Sequence, residues 1–380
     1  MTTVLITGGA GFIGRQLASQ LIANGYDVRI IDPLAPQVHG ALPQNLAWLD
    51  HPRIHFFRGS VLDKSTVRCA LGGVSHVVHL AAETGTGQSM YDIANYNSVN
   101  TQGTAILLDE LANNPTHKVT RFILASSRSV YGDGPYMCRC SESESARQFP
   151  QSRSSDQLRR HQWDPLCLYC GAPMIPVPTI ETDKISPASI YAATKHAQEE
   201  LVRIGCSSLG IDYAILRLQN VYGAGQSLGN PYTGILSIFS TRIRHGRSLP
   251  IFEDGLESRD FVHVSDVARA FLLSVSCASQ LSAVINVGSG LGTSVLDIAK
   301  LLISAFDSKV PIEITSEYRI GDIRHNIADI SRLQSLLAFA PDISLVDGIN
   351  SFVEWVAVQK LPSDRLDEAN AELRTRRLMA

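Results

Sequence analysis

Thr3 to Thr7 is a short apolar, β-branched run that reads as a buried strand, and after a glycine turn Ile13, Leu17, Leu21 and Ile22 repeat at helical spacing. The rhythm continues. Tyr26 to Ile31 reads as a strand ending in Asp32, Val74 to Ala82 as another, Asn100 to about Leu111 as a helix, and Phe122 to Ser127 as a further strand. Strand and helix in alternation predict an α/β fold built on a doubly wound parallel sheet. After Asn286 come a periodic helix over Val295 to Phe306, then Ile327-Ala328-Asp329, then a helix near Leu345 to Val358, which fit a smaller α/β lobe. No repeat of solenoid period is visible.

These patterns divide the chain into a first lobe over 1–135, a cysteine-rich insertion over 136–180, a return to the first lobe over 181–218, and a second lobe over 219–360. The second lobe is interleaved with the last elements of the first. The tail, 361–380, is charged and weakly periodic in Leu366, Leu373 and Leu378, which leaves a frayed helix or disorder open.

Composition narrows the function classes. The net charge is −3 and 18% of the 380 residues are charged, so a nucleic-acid partner is not expected. A strand follows Met1 almost at once and no apolar run spans a bilayer, which points to a cytoplasmic protein with no membrane partner. Seven cysteines in a reducing compartment suit metal ligands or packed thiols better than disulfides.

The turn Gly8-Gly9-Ala10-Gly11-Phe12-Ile13-Gly14 between strand and helix carries the first chemistry. One glycine makes the tight turn, another lets backbone N–H groups approach a pyrophosphate, and the last allows close packing of the helix, whose N-terminus then faces phosphate. Asp32 follows 18 residues after Gly14, where a carboxylate holds a ribose 2′-hydroxyl and repels a 2′-phosphate, favouring NAD over NADP. Further on, Tyr191 and Lys195 lie four apart on one helix face, downstream of Ser127. An unperturbed phenol, with a pKa of about 10, is too weak a base near neutrality, and a nearby ammonium and an oxidised nicotinamide would both lower it.

With the glycine loop, Asp32, Ser126-Ser127-Arg128-Ser129-Val130-Tyr131-Gly132 and Tyr191-Ala-Ala-Thr-Lys195 in order, the chain resembles the extended short-chain dehydrogenases/reductases, and among them the nucleotide-sugar epimerases and dehydratases. The resemblance implies a Rossmann-like fold, bound NAD and a homodimer through the helices carrying Asn100 and Tyr191. It implies Tyr191 as acid/base, Lys195 on the nicotinamide ribose and Ser127 orienting the substrate oxygen. It places Gly8, Gly11, Phe12, Ile13 and Gly14 at the cofactor with Asp32, Leu80, Ala81, Ala82 and Asn100. Relatives carry an aspartate directly after Gly59 to contact adenine. Here Ser60 stands there, beside Val61, and Asp63 reads as a helix cap.

On the substrate side the resemblance assigns Asn220, Arg259, Arg319 and Asp322 to a nucleotide-diphosphate sugar, a role for which the planar arginine fork is suited. Dehydratases of the family place acid just after the active-site hydroxyl, where this chain has Arg128-Ser129, so epimerisation at carbon 4 is the economical expectation. Ile285 resembles a position whose bulk disfavours 2-acetamido sugars. The insertion and its flanks resemble the branch acting on dTDP-6-deoxyhexoses such as dTDP-L-rhamnose. A UDP-sugar epimerase, a dehydratase, reductase or decarboxylase on the same scaffold, and a non-enzymatic NAD-sensing protein stay open.

Tyr191 lies 60 positions after Tyr131, several times what most relatives need. Cys138-Arg-Cys140 and Cys167-Leu-Tyr-Cys170 resemble the two knuckles of a structural zinc site, with His161 as a substitute ligand. A polar stretch with few apolar residues needs such stabilisation. A reducible disulfide pair or a disordered loop is the alternative. The exit through Pro173, Pro176 and Pro178 reads as extended linker.

Overall fold

The computed structural model describes residues 2–39, 46–140, 147–230 and 234–379. Seven strands, β1 (Thr3–Thr7), β2 (Asp27–Asp32), β3 (Ile54–Arg58), β4 (His76–His79), β5 (Arg121–Ser127), β6 (Asp212–Leu218) and β7 (Ala283–Val287), lie in the order β3-β2-β1-β4-β5-β6-β7. Every neighbouring pair is parallel. The order reverses direction between β1 and β4, and open sheets of this kind bind ligands beyond the carboxyl ends of the strands at that point.

Both faces of the sheet are covered, which is why its strands are nearly continuous apolar runs. Helices α1 (Phe12–Ala23) and α5 (Val264–Ser276) pack Leu17, Leu21, Val267 and Phe271 against Val4 and Ile6. On the other face α2 (Lys64–Leu71), α3 (Gly103–Ala112) and α4 (Ile190–Leu209) pack Val67, Leu107 and Val202 against Leu5. The period-2 alternation of β1 thus feeds two cores. A third core, with Phe239, Leu302 and Phe352, gathers helices Ile235–Arg244, Val295–Ala305 and Leu345–Ala357 of the second lobe. There strand Ser258–His263 pairs with Asn220–Tyr222, Gly292–Ser294 and His325–Asn326.

Three elements differ from the sequence expectation. The strand expected to reach Ala82 stops at His79 because the chain bends under Gly8, whose positive φ of 67° turns the backbone against Ala81. The helix expected from Asn100 begins as a π-helical turn, Asn97–Gln102, from which the Asn100 carboxamide bonds Glu83 N and Thr194 Oγ1. The tail is neither frayed nor disordered: Leu366–Thr375 is a helix that buries Leu366, Ala369 and Leu373, while Arg242 holds Asp364 and Asp367 at 3.1 and 3.0 Å. No helix among the described residues is long and apolar enough to cross a membrane.

Candidate active site

The turn after β1 and the end of β2 form one cradle. Gly11 caps α1, with Phe12, Ile13 and Gly14 in its first turn. A Cβ at Gly8 would lie 2.8 Å from the Ala81 backbone nitrogen, and one at Gly14 would lie 2.6 Å from the Gly9 Cα, so both glycines are required by close approach. The buried Asp32 carboxylate accepts hydrogen bonds from Ala10 N at 3.1 Å and Leu34 N at 2.8 Å, which fixes it beside the turn. Leu80 N donates to Thr7 O, and Ala81 N to Thr7 Oγ1 at 3.2 Å, so Leu80, Ala81 and Ala82 line the next edge. Ser60 Oγ accepts from Leu62 N, Val61 is buried against Gly103, and Asp63 caps α2 through Ser65 N and Thr66 N. This donor set fits a dinucleotide.

Ser189 caps α4 by accepting from Ala192 N at 3.1 Å, which fixes the helix start and puts Tyr191 in its first turn. Lys195, Gln198, Glu199, Val202 and Cys206 then follow as its buried stripe. Burial raises the Tyr191 phenol above its ordinary value, while a hydrogen bond with Ser127 and the charge of Arg128 pull it down. The expected help from Lys195 takes another form. Its Nζ donates to Ala125 O at 2.9 Å, and burial pushes its own pKa down to about 7, opposed by Glu199.

Arg128 was legible in the sequence only as a missing acid. It stands in the short turn Arg128–Tyr131 directly after Ser127, and burial first and the like charge of Arg259 second push its pKa down to about 9. Asp322, Tyr191 and Asp133 act on it in the opposite sense, so the turn brings these groups into one electrostatic neighbourhood.

A hydrogen-bonded layer backs the site. Asn100 accepts from Glu83 N at 2.8 Å and donates to Thr194 Oγ1 at 2.9 Å, tying the loop after β4 to the Tyr191 helix. His79 is shared between Thr7 Oγ1 at 2.6 Å and Thr104 Oγ1 at 2.9 Å, and burial pushes its pKa down to about 3, so it is neutral. Glu199 receives Arg217 in a two-pronged contact and also accepts from Ser126.

In the second lobe Asn220 and Arg259 stand on neighbouring strands, and Arg319 and Asp322 lie in the connection before His325–Asn326. Asn220 pairs in register with Phe261, and Arg259 with Asn326. The Arg259 guanidinium donates to the carbonyls of Ser258 (2.9 Å), Arg324 (3.0 Å) and Ile323 (2.7 Å), using three of its five N–H groups. Arg319 donates to Asn370 Oδ1 at 3.0 Å and lies over the Phe252 ring, with its Nε buried and unpartnered. Asn326 is buried with both carboxamide atoms unpartnered, a polar group the sequence reading did not single out. Ile285 is wholly buried in the core on the α1 and α5 face, so its bulk serves the packing of β7 instead of a sugar pocket.

The insertion gathers its four thiols. Cys138 Sγ lies 3.5 Å from Cys170 Sγ, Cys140 Sγ lies 3.9 Å from Cys167 Sγ, and all four atoms fall within 4.8 Å of one another. A tetrahedron with zinc–sulfur bonds of about 2.3 Å has edges of roughly 3.8 Å, so the donor set fits that ion. The backbone nitrogens of Cys140 and Tyr169 point at Cys138 and Cys167 sulfurs, as does Gln148 Nε2 at 3.5 Å. Strand Tyr136–Met137 pairs with Ile175–Pro176, and among the described residues the core around the thiols is Tyr136, Cys138, Cys167 and Met174, with Cys140 beside it. His161 stacks on Trp163 instead of joining the cluster.

A parallel sheet whose strand order reverses between β1 and β4, a glycine cradle with its acid, and Ser127 at the end of β5 beside the helix that carries Tyr191 and Lys195 are the parts of a dinucleotide-binding α/β enzyme. A sequence profile of the NAD dependent epimerase/dehydratase family matches residues 4–155 and 167–288, and the chain belongs to that family. It is 35% identical over 356 residues, 93% of this chain and 94% of the relative, to the dTDP-L-rhamnose 4-epimerase of Burkholderia thailandensis. It is 30% identical over 359 residues to a dTDP-glucose 4,6-dehydratase of Streptomyces griseus, covering 93% of this chain and 94% of the other. Among solved structures, the UDP-N-acetylglucosamine 4-epimerase of Methanobrevibacter ruminantium M1 in complex with UDP-N-acetylmuramic acid superposes with a TM-score of 0.76. That match has 27% identity and covers 94% of this chain and 99% of that one.

Proposed function

We propose that this enzyme is a nucleotide-sugar 4-epimerase acting on a dTDP-6-deoxyhexose such as dTDP-L-rhamnose. The observation that carries the reading is Arg128 in the turn after Ser127, where a dehydratase of the family holds acid. Elimination of a sugar hydroxyl needs a general acid and base beyond the tyrosine, and the guanidinium of Arg128 serves as neither. The Burkholderia relative and its 35% identity support the dTDP-sugar assignment.

NAD would be held by Gly8, Gly11, Phe12, Ile13, Gly14 and Asp32, with Ser60, Val61, Leu80, Ala81, Ala82 and Asn100 around it and Lys195 at its ribose. When bound it supplies a reversible hydride acceptor, so one carbon can be oxidised and reduced again with no net consumption of cofactor. Tyr191 takes the proton of the sugar 4-hydroxyl at its phenolate oxygen and later returns it to the opposite epimer. Ser127, at the end of β5 beside the Tyr191 helix, orients the same oxygen. Arg259 and Arg319, with Asn220 and Asp322, bind the nucleotide diphosphate. Cys138, Cys140, Cys167 and Cys170 hold a structural zinc ion; no coordination position of that closed set remains for catalysis. The homodimer implied by the resemblance would bury the outer faces of α3 and α4, where Ile204 is exposed.

Incubation with dTDP-L-rhamnose, and separately with dTDP-glucose and UDP-glucose, tests the reading by product chromatography and NMR. The expected product is the C4 epimer of dTDP-L-rhamnose, with cofactor absorbance unchanged after turnover and activity lowered at least a hundredfold by Tyr191→Phe. A 4-keto-6-deoxy product from dTDP-glucose would establish the dehydratase instead.

A further inference from the structure

The cysteine insertion reaches across to the segment that carries the proposed diphosphate contacts. Arg153, with 2% of its side chain exposed, donates to Glu253 Oε2 at 2.8 Å and to the Asp322 carbonyl at 2.9 Å. Its other bond, to the Trp163 carbonyl at 2.8 Å, fixes it within the insertion. Asp164 accepts from Arg324 Nε at 2.9 Å. Trp163 and Leu158 pack on Tyr318, the residue before Arg319.

Arg324 is the hub of this contact. Its side chain is buried and satisfied by Asp164, Glu253 and Asp254, while its backbone nitrogen donates to Asp133 just past the turn that follows Ser127. Its carbonyl, with those of Ile323 and Ser258, receives the Arg259 guanidinium. Insertion, hub and Arg259 therefore form one continuous hydrogen-bonded chain. A long, flexible arginine aimed at a diphosphate loses less entropy on binding when its fork is already held.

We propose that Arg153 and Asp164 are positioning residues for nucleotide-diphosphate recognition: Arg153 holds the Asp322 carbonyl and Asp164 the Arg324 side chain, and between them the carbonyls of Ile323 and Arg324 set the Arg259 fork. The proposal rests on the reading of Arg259 as a diphosphate contact. Their role is exercised through affinity for the nucleotide half of the substrate, so it separates from chemistry at Tyr191.

The test is isothermal titration of the holoenzyme with dTDP and with UDP, together with steady-state kinetics and bound-NAD content, for Arg153→Met, Asp164→Ala and Arg259→Met. Arg153→Met is expected to weaken nucleoside diphosphate binding and raise KM about tenfold, with kcat and bound NAD within about twofold of wild type. Asp164→Ala is expected to act in the same direction by a smaller factor, because its side chain is 43% exposed and Arg324 keeps Glu253, Asp254 and Glu257. Arg153→Lys, which keeps the charge toward Glu253, should recover part of the affinity. Should Arg153→Met fail to fold, Asp164→Ala decides by the same readings. Unchanged affinity in both insertion variants with a clear loss in Arg259→Met overturns the positioning role alone. No loss in Arg259→Met either overturns the diphosphate reading and the positioning role together.

Discussion

Glu199 and Arg217 form an ion pair whose side chains are 3% and 5% exposed, between helix α4, which carries Tyr191, and strand β6. Two bonds, Nε to Oε1 at 2.9 Å and Nη2 to Oε2 at 2.7 Å, make it bidentate, and Arg217 also donates to the Tyr131 hydroxyl at 2.8 Å. Replacing Glu199 by leucine leaves a buried guanidinium with one neutral side-chain acceptor and deprives Ser126 of its own. Removing one partner of such a pair costs about 3–5 kcal/mol, whereas replacing both by apolar groups of similar volume is often near neutral. Glu199→Leu and Arg217→Met should therefore each cost roughly 4 kcal/mol, and the double variant far less than their sum, with a coupling of at least about 2 kcal/mol. Urea unfolding of each variant, followed by tryptophan fluorescence and far-ultraviolet circular dichroism with coincident transitions, measures this. Burial raises the Glu199 carboxyl, but hydrogen bonds from Arg217 chiefly outweigh it and leave the group below its ordinary value. The stabilisation is accordingly present above an unfolded pKa of about 4.3 and is lost as pH falls through the folded value. Single losses below about 1 kcal/mol, or losses that simply add, would refute the pairing.

Other outcomes follow from the same site. Arg128→Met removes a charge that favours the Tyr191 phenolate, so the alkaline rise of the kcat/KM profile should move to higher pH; a profile in the wild-type position would show that Arg128 exerts no such pull. Lys195→Met should abolish turnover yet raise the thermal midpoint of cofactor-free protein. Because the folded pKa of Lys195 is depressed to about 7, the penalty it imposes is full at and below neutrality and fades as pH rises toward about 10.4, so the midpoint difference should shrink over that range. Gly8→Ala combines a positive φ of 67° with a 2.8 Å clash on backbone, and should yield protein with little bound NAD, read from the absorbance of the heat-released cofactor.

The Rossmann-like half of the molecule was legible because its signals are local. Glycine spacing, β-branched runs and a capped helix each act within a few residues, and the Gly8 turn, Asp32 and the Tyr191 helix lie where that spacing puts them. What escaped depends on partners far apart in the chain. Arg153 finds Glu253 across 100 positions, and the tail is ordered by Arg242, 122 positions before Asp364, so composition alone made it look frayed. Ile285 was read from a resemblance, but side-chain direction on β7 is set by sheet register, and register puts it in the core. Asn326 carries no pattern of its own; only its burial without a partner singles it out.

The spacing of the insertion's own contacts bears on the order in which the chain assembles. Cys138 and Cys170 are 32 positions apart, whereas Asp164 and Arg324 are 160 apart. Loop-closure entropy grows as (3/2)RT ln n, so the longer contact costs about 1.4 kcal/mol more to close. At a synthesis rate of about 5–20 residues per second, the thiol knot is available for many seconds before Arg324 leaves the ribosome. The cheaper contact is thus also the earlier one available, and the surface onto which residues 322–324 pack is synthesised before they are.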